Sequence, residues 1–275
     1  MLTASVCFAG LGVLVKLTAP VVGAPQVAFW RGLMSMLLVP FIARATGGTL
    51  AIHNVRAHLA RGVFGLLAML LYFTAIERLP FLGDAVVITF LSPMLVAGIA
   101  RPILGERASP RVWAALLLGF VGVALVVGPT GSWETVGLLA AGGSAVFAAC
   151  AYVAVSIVTR TDTTASVVFW FSVWCVVWTA PSLLHGGATE VPFRLIGIGL
   201  LGTAGQWSLT QAYASAPASR VAVFAYTTPV FAYLLGAFQL GEIPPPRTAV
   251  GALVVVLAGA LATRARPHAD SPAPD

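Results

Sequence analysis

The chain reads as a succession of apolar stretches, each about as long as a bilayer is thick, cut by short polar or Pro/Gly-bearing points. A membrane-crossing helix needs about 20 mostly apolar residues to traverse roughly 30 Å of hydrocarbon. Gly and Pro punctuate such stretches because they favour turns over continued helix. Cutting at Ala19-Pro20, Gly47-Gly48, Leu79-Pro80, Gly105-Glu106, Gly128-Pro129, Arg160-Thr161-Asp162, Gly186-Gly187, Ala216-Pro217 and Pro244-Pro245-Pro246 predicts ten spans. They fall at 3–19, 25–43, 60–77, 83–101, 111–128, 135–159, 164–184, 194–213, 219–239 and 247–264. Composition agrees, since 9% of the 275 residues are charged and 59% are hydrophobic, whereas soluble domains carry about a quarter charged residues. A water-facing surface cannot be built from that supply, so the expected class is all-α integral membrane protein.

The net charge of +6 raises the question of a nucleic-acid partner, and its placement answers it. With a cytoplasmic amino terminus, Arg44, Arg56, Arg61, Arg101, Arg107, Arg111, Arg160, Arg220, Arg264 and Arg266 fall on the inner side. Only Arg78, Arg194 and Arg247 fall on the other. Short inner loops rich in Lys and Arg are what sets membrane topology, so both termini are expected in the cytoplasm, in a multi-pass protein of the inner (plasma) membrane. The basic balance then reports orientation and implies no nucleic acid. Partners reduce to the lipid bilayer and a small-molecule substrate, and a monomer is the expectation.

Several chemistries are excluded. Cys7, Cys150 and Cys175 lie in separate apolar segments without CxxC spacing, so neither a disulfide framework nor a metal site is expected. His53 and His58 read, with Arg56 and Arg61, as a solvated basic loop. No HExxH or GxSxG is present, so the chain is not expected to be an enzyme or to need a cofactor. The first stretch lacks the basic flank of a cleaved signal peptide and reads as a retained helix.

An internal repeat is the most specific signal. Ser92-Pro93 precedes Leu104-Gly105-Glu106, and Thr228-Pro229 precedes Leu240-Gly241-Glu242 with the same Pro-to-Glu interval; Ala75 to Pro80 resembles Ala212 to Pro217. Residues 1–130 and 131–266 would each hold five spans, with a Pro-rich cytoplasmic tail at 267–275. An odd span number inverts the second copy, and inverted repeats are the usual basis of alternating access around a midplane site. Five spans twice, Lys16 ending the first helix, Arg31 early in the second, and the paired Pro-to-Glu segments resemble the drug/metabolite transporter superfamily, specifically its EamA-type ten-helix group. That resemblance implies a ten-helix inverted-repeat bundle with a central cavity, moving metabolites such as amino acids, often outward. The functional expectation is a secondary exporter or permease for hydrophobic or aromatic amino acids, with a multidrug exporter as nearest rival. A passive channel is disfavoured because no filter-like loop or ring of charge is present.

Candidate site residues follow from depth. Trp30, Trp113 and Trp133 lie near span ends and read as interfacial anchors. Trp170, Trp174 and Trp178 repeat every four residues and would share one helix face. Thr203, Gln206, Trp207, Thr210 and Gln211 give the eighth span polar and aromatic groups that lipid would not tolerate. With Tyr72, Phe73, Tyr152, Tyr226 and Tyr233 they are expected to form an aromatic cavity with polar donors. Pro93 and Pro229, near mid-span in matching positions, are expected hinges. Lys16, Arg31, Glu77 and Asp84 are expected as an ion-pair network at the outer rim, and Glu106 and Glu242 as turn-organising residues.

Overall fold

A computed structural model describes residues 1–79, 82–128, 134–185, 192–240 and 246–264. Its first half is α1 (Leu2–Val22), α2 (Ala24–Thr46), α3 (Val55–Arg78), α4 (Leu82–Thr89), α5 (Ser92–Leu104) and α6 (Pro110–Val127). The second half is α7 (Thr135–Val158), α8 (Thr164–Thr179), a 3-10 turn at Ala180–His185, α9 (Pro192–Ser215), α10 (Ala218–Val223), a 3-10 turn at Phe224–Tyr226, α11 (Thr227–Leu240) and α12 (Pro246–Thr263). No strand occurs among the described residues.

Eight described segments are long and apolar enough to cross a membrane. Helix α1 adds the shorter apolar piece Leu2–Val15. Helix α9, at 24 residues, has the length, and its Thr203, Gln206 and Thr210 are turned inward and buried. Counting α4 with α5, and α10 with α11, gives ten helical passages among the described residues.

Local chemistry sets the ends. Asn54, Ser109 and Thr163 accept from the backbone N–H three residues on and cap α3, α6 and α8, satisfying donors that the first helical turn leaves free. Gly47, Gly105 and Gly128 close α2, α5 and α6 in the left-handed region, at φ 70°, 71° and 63°, where a side chain would be strained. The cap at Asn54 starts α3 earlier than the apolar stretch alone predicts, and so places His58 and Arg61 on the helix instead of in a loop.

Both passages that carry the matched prolines are broken just before them. Pro93 and Pro229 lack the N–H that would bond one turn back. The first passage interrupts at Phe90 and Leu91, the second at Phe224–Tyr226. In the second break the Phe224 carbonyl is taken up by the hydroxyls of Thr227 at 2.7 Å and Ser5 at 3.3 Å. The rings of Phe90 and Tyr226, one from each break, lie 6.3 Å apart.

Packing follows a two-fold logic. Helix α2 packs on α8 and α6 on α12, each against its counterpart in the other half, while α3 on α7 is matched by α9 on α1. At the α6–α12 crossing a Cβ on Gly122 would meet the Gly251 carbonyl at 2.9 Å, and one on Gly251 would meet the Gly122 carbonyl at 2.6 Å. Only glycine permits so close an approach, as small residues do generally where helices associate in lipid. The pair runs antiparallel, with Thr248 bonded to the Val126 carbonyl, so Arg111 and Arg247, near the starts of α6 and α12, stand at opposite faces. The face bearing Met1, the 47–54 loop and the 159–163 loop is here the near face, and the other is the far face.

Candidate functional site

Three helices converge on a small central cavity of about 10 Å³, room for about one water molecule. It is lined by Arg31, Gly32 and Ser35 of α2, by Phe171, Ser172 and Cys175 of α8, and by Gln206 of α9. That is far below the roughly 300–1,000 Å³ of pockets that enclose drug-sized ligands, so the chamber is contracted in this structure. Gly32 brings α2 against α8, since a Cβ there would lie 3.1 Å from the Ser172 carbonyl. The hydroxyls of Ser35 and Thr203 are 2.7 Å apart and tie α2 to α9.

Arg31 enters this chamber instead of the outer rim. It begins about 10 Å into α2 at roughly 1.5 Å per residue. Its side chain lies along Gly202, where a Cβ would be 2.9 Å from Nε, and its terminal nitrogen donates to Gln206 Oε1 at 3.2 Å. The rim network therefore loses Arg31. Lys16, Glu77 and Asp84 lie on α1, α3 and α4, but their side chains, like that of Phe73, fall outside what is described; Trp133 and Glu242 lie outside the described residues altogether.

Arg61, read from sequence as part of a solvated loop, is 4% exposed. Its guanidinium stands 3.7 Å from the centre of the Phe171 ring, within cation–π range. A Cβ on Gly65 would collide with an Arg61 terminal nitrogen at 2.0 Å. The side chain therefore climbs toward the middle of α3, away from the near face.

The tryptophan face of α8 is turned elsewhere. Trp170 donates to the Leu50 carbonyl at 2.9 Å and anchors the 47–54 loop. Trp174 covers Gly62 of α3, where a Cβ would sit 2.6 Å from the ring, and it stacks on Trp178, which is 61% exposed. Phe171 and Cys175, one position further round the helix, face the chamber. Trp207 packs with Val39, Ala43 and Val168, and Gln211 is exposed. Tyr226 is fully buried in the α6–α12 cluster, its ring filling the space that Gly119 leaves. Of the expected set, Gln206 lines the cavity and Thr203 bonds to the lining residue Ser35, whereas Tyr152 stacks on Tyr213 at 5.4 Å. Tyr72 sits partly buried on α3.

Two carboxylates tie elements together at the near face. Asp162, its side chain fully buried, accepts from the backbone N–H groups of His53 at 2.7 Å and Asn54 at 3.2 Å, and from the Thr161 hydroxyl at 2.5 Å. His58 Nε2 lies 3.3 Å from the same carboxylate. Burial pushes this carboxyl up, but the hydrogen bonds together outweigh it and hold it below the ordinary value. The second is Glu106, which accepts backbone N–H groups of Ala218 and Ser219 at the start of α10. Burial raises its carboxyl above the ordinary value in spite of those bonds.

A family model, the EamA-like transporter family, matches residues 1–128 and again residues 135–264. The chain belongs to the EamA-like transporter family. This EamA-like transporter is 31% identical over 264 residues to the pseudopaline exporter CntI of Pseudomonas aeruginosa, covering 93% of the chain and 91% of that relative. It is 29% identical over 274 residues to a riboflavin transporter of Rhizobium johnstonii, covering 94% and 87% respectively. A solved structure, titled only as the crystal structure of a protein, superposes with a TM-score of 0.79 at 21% identity, covering 95% of this chain and 94% of that one; that likeness bears on the fold alone. The chain is thus a multi-pass membrane transporter of small molecules and not an enzyme.

Proposed function

We propose that this EamA-like transporter is a secondary carrier that works by alternating access and moves hydrophobic or aromatic amino acids outward from the cytoplasm. The observation that carries the reading is the central chamber at the α2–α8 contact, where each half contributes the same element. A site on such an axis is reached from either face by exchanging the conformations of the two halves. Phe171 offers an apolar wall, and Ser35, Ser172 and Gln206 offer hydrogen bonds, a combination suited to a solute with an apolar body and a polar head.

The near face is the cytoplasmic one in this reading, because the arginine-rich loops lie there. With the Asp162 and Glu106 locks engaged that face is held shut, and opening it requires both to release. Pro93 and Pro229 are the hinges: each stands just beyond the break in its passage, where the missing backbone bond lets one half-helix tilt on the other. The outward direction draws on the relative named as an exporter.

Proteoliposomes holding the purified protein and preloaded with unlabelled phenylalanine or leucine are expected to accumulate the labelled amino acid by exchange, saturably. Absence of saturable exchange across the hydrophobic and aromatic amino acids would remove the assigned substrate class. Single-channel currents would replace the carrier by a pore.

A further inference from the structure

The chamber is cationic, and nothing described in the protein neutralises it. Arg31 has one side-chain partner, the neutral Gln206 oxygen. Arg61 has the face of Phe171, and its Nε is buried without a hydrogen-bond acceptor. Neither guanidinium takes part in an ion pair with a described residue. Phe171 connects the two, since it lines the chamber with Arg31 and its ring carries the Arg61 guanidinium.

Charge at this depth in a membrane protein is expensive unless it is paired or solvated. Arginine ordinarily relieves the expense by extending to the nearest interface. Arg61 does the reverse. A helical side chain leans toward the amino-terminal end of its helix, which for α3 is the near face, yet the Arg61 guanidinium occupies the space above Gly65, one turn deeper. Arg31 starts in the far half and runs past Gly202 to Gln206, again toward the middle. Both glycines make room for these paths. Two cations thus approach one level from opposite sides, with Phe171 lining the chamber beside Arg31 and lying under Arg61.

We infer that Arg31 and Arg61 together receive an oxyanion, a carboxylate or a phosphate, borne by the transported solute, with Phe171 against its apolar part. Guanidinium forks match both groups in geometry. A bound anion supplies the charge the chamber lacks, so the solute completes the site. This rests on the carrier reading for the location of the site and adds the charge of the substrate.

The test is binding without transport. Purified protein in detergent is unfolded thermally with benzoate, phenyl phosphate, benzylamine or benzyl alcohol, at matched ionic strength. One or both anions are expected to raise Tm saturably, with no saturable shift from the amine or the alcohol; the stronger of the two anions identifies the group. Arg31→Gln and Arg61→Gln should each weaken the half-saturating anion concentration about tenfold, the loss of one charge-assisted contact, while Arg61→Lys retains part of it. With no ligand, Arg61→Gln should unfold no earlier than the parent. Should that variant fail to purify, Gly65→Ala, whose methyl displaces the guanidinium and the edge of the Phe171 ring while keeping the charge, should weaken the anion similarly. The inference is overturned if neither anion shifts Tm, if benzylamine acts as strongly as benzoate, or if the variants bind anions as the parent does. It is equally overturned if Arg61→Gln lowers the basal Tm and leaves the anion shift intact, which would make Arg61 a packing residue. Anion binding without exchange in proteoliposomes would break the carrier reading alone; exchange of amines without anion binding would break this inference alone.

Discussion

Charge is buried in two regions of this molecule and handled in opposite ways. At the near face Asp162 is met by two backbone N–H groups, a hydroxyl and an imidazole. At the centre Arg61 is met by an aromatic face, and Arg31 by one amide oxygen. A buried charge whose hydrogen bonds are filled holds structure together, and stripping away its partners is strongly destabilising. One left short of partners contributes little to the resting fold and is free to gain them from a ligand. On the proposed reading, the contrast separates a lock from a binding site.

Substitutions can break this contrast or sharpen it. Asp162→Ala should have the largest effect, destabilising by about 3–5 kcal/mol because four groups lose a shared acceptor; chemical unfolding in detergent measures it, and a loss under about 1 kcal/mol would erase the distinction. The same carboxylate gives a pH signature. Its folded pKa is lowered, so its contribution is full above the ordinary carboxylate value and is lost as pH falls through that value toward the folded one. Asp162→Asn should flatten that acid decline in unfolding measurements.

Next in size is a pair of glycines. Gly119→Ala drives a methyl to 2.4 Å from the buried Tyr226 ring, and overpacking of that kind destabilises by about 1–3 kcal/mol. Gly65→Ala meets a guanidinium that can swing away but also the edge of the Phe171 ring at 2.8 Å, so it should destabilise by less than Gly119→Ala without being neutral. Equal losses from the two would mean that Arg61 and Phe171 together are as fixed as the Tyr226 ring. The smallest expected change is for Arg61→Gln, whose stability without ligand should equal or exceed the parent's, since no ion pair is lost.

The passages and their breaks were legible because hydrophobic length and proline chemistry act locally. Pro93 and Pro229 each stand just beyond a break in their passage, whereas Pro40 is carried inside α2 without one. The face a helix turns inward was harder to read, since α8 is apolar all round and its periodicity does not select a side. Trp170, Trp174 and Trp178 form a stripe, yet Phe171 and Cys175, a 100° rotation away, face the chamber. Gln206 was legible because an amide cannot face lipid. Arg31 was misplaced because position along α2 says nothing of where its long side chain ends. Arg61 was misplaced because its burial depends on Phe171 and Gly65, which only the fold brings to it. The Arg-x3-Gly spacing on α3 is the one signal that could have found it. Asp162 was visible as punctuation, and its role as a lock depends on the 47–54 loop from the other half of the chain.

Cys175 lines the chamber and offers the most direct measurement of the central claim, a single chamber that opens to each face in turn. With Cys7 and Cys150 replaced by serine, membrane-impermeant methanethiosulfonate reagents are applied to oriented vesicles from one side and then from the other. Alternating access predicts that Cys175 is modified from both sides, and that locking the near face with a disulfide across the Asp162 loops abolishes labelling from that side alone. Modification confined to one face under every condition would contradict the account.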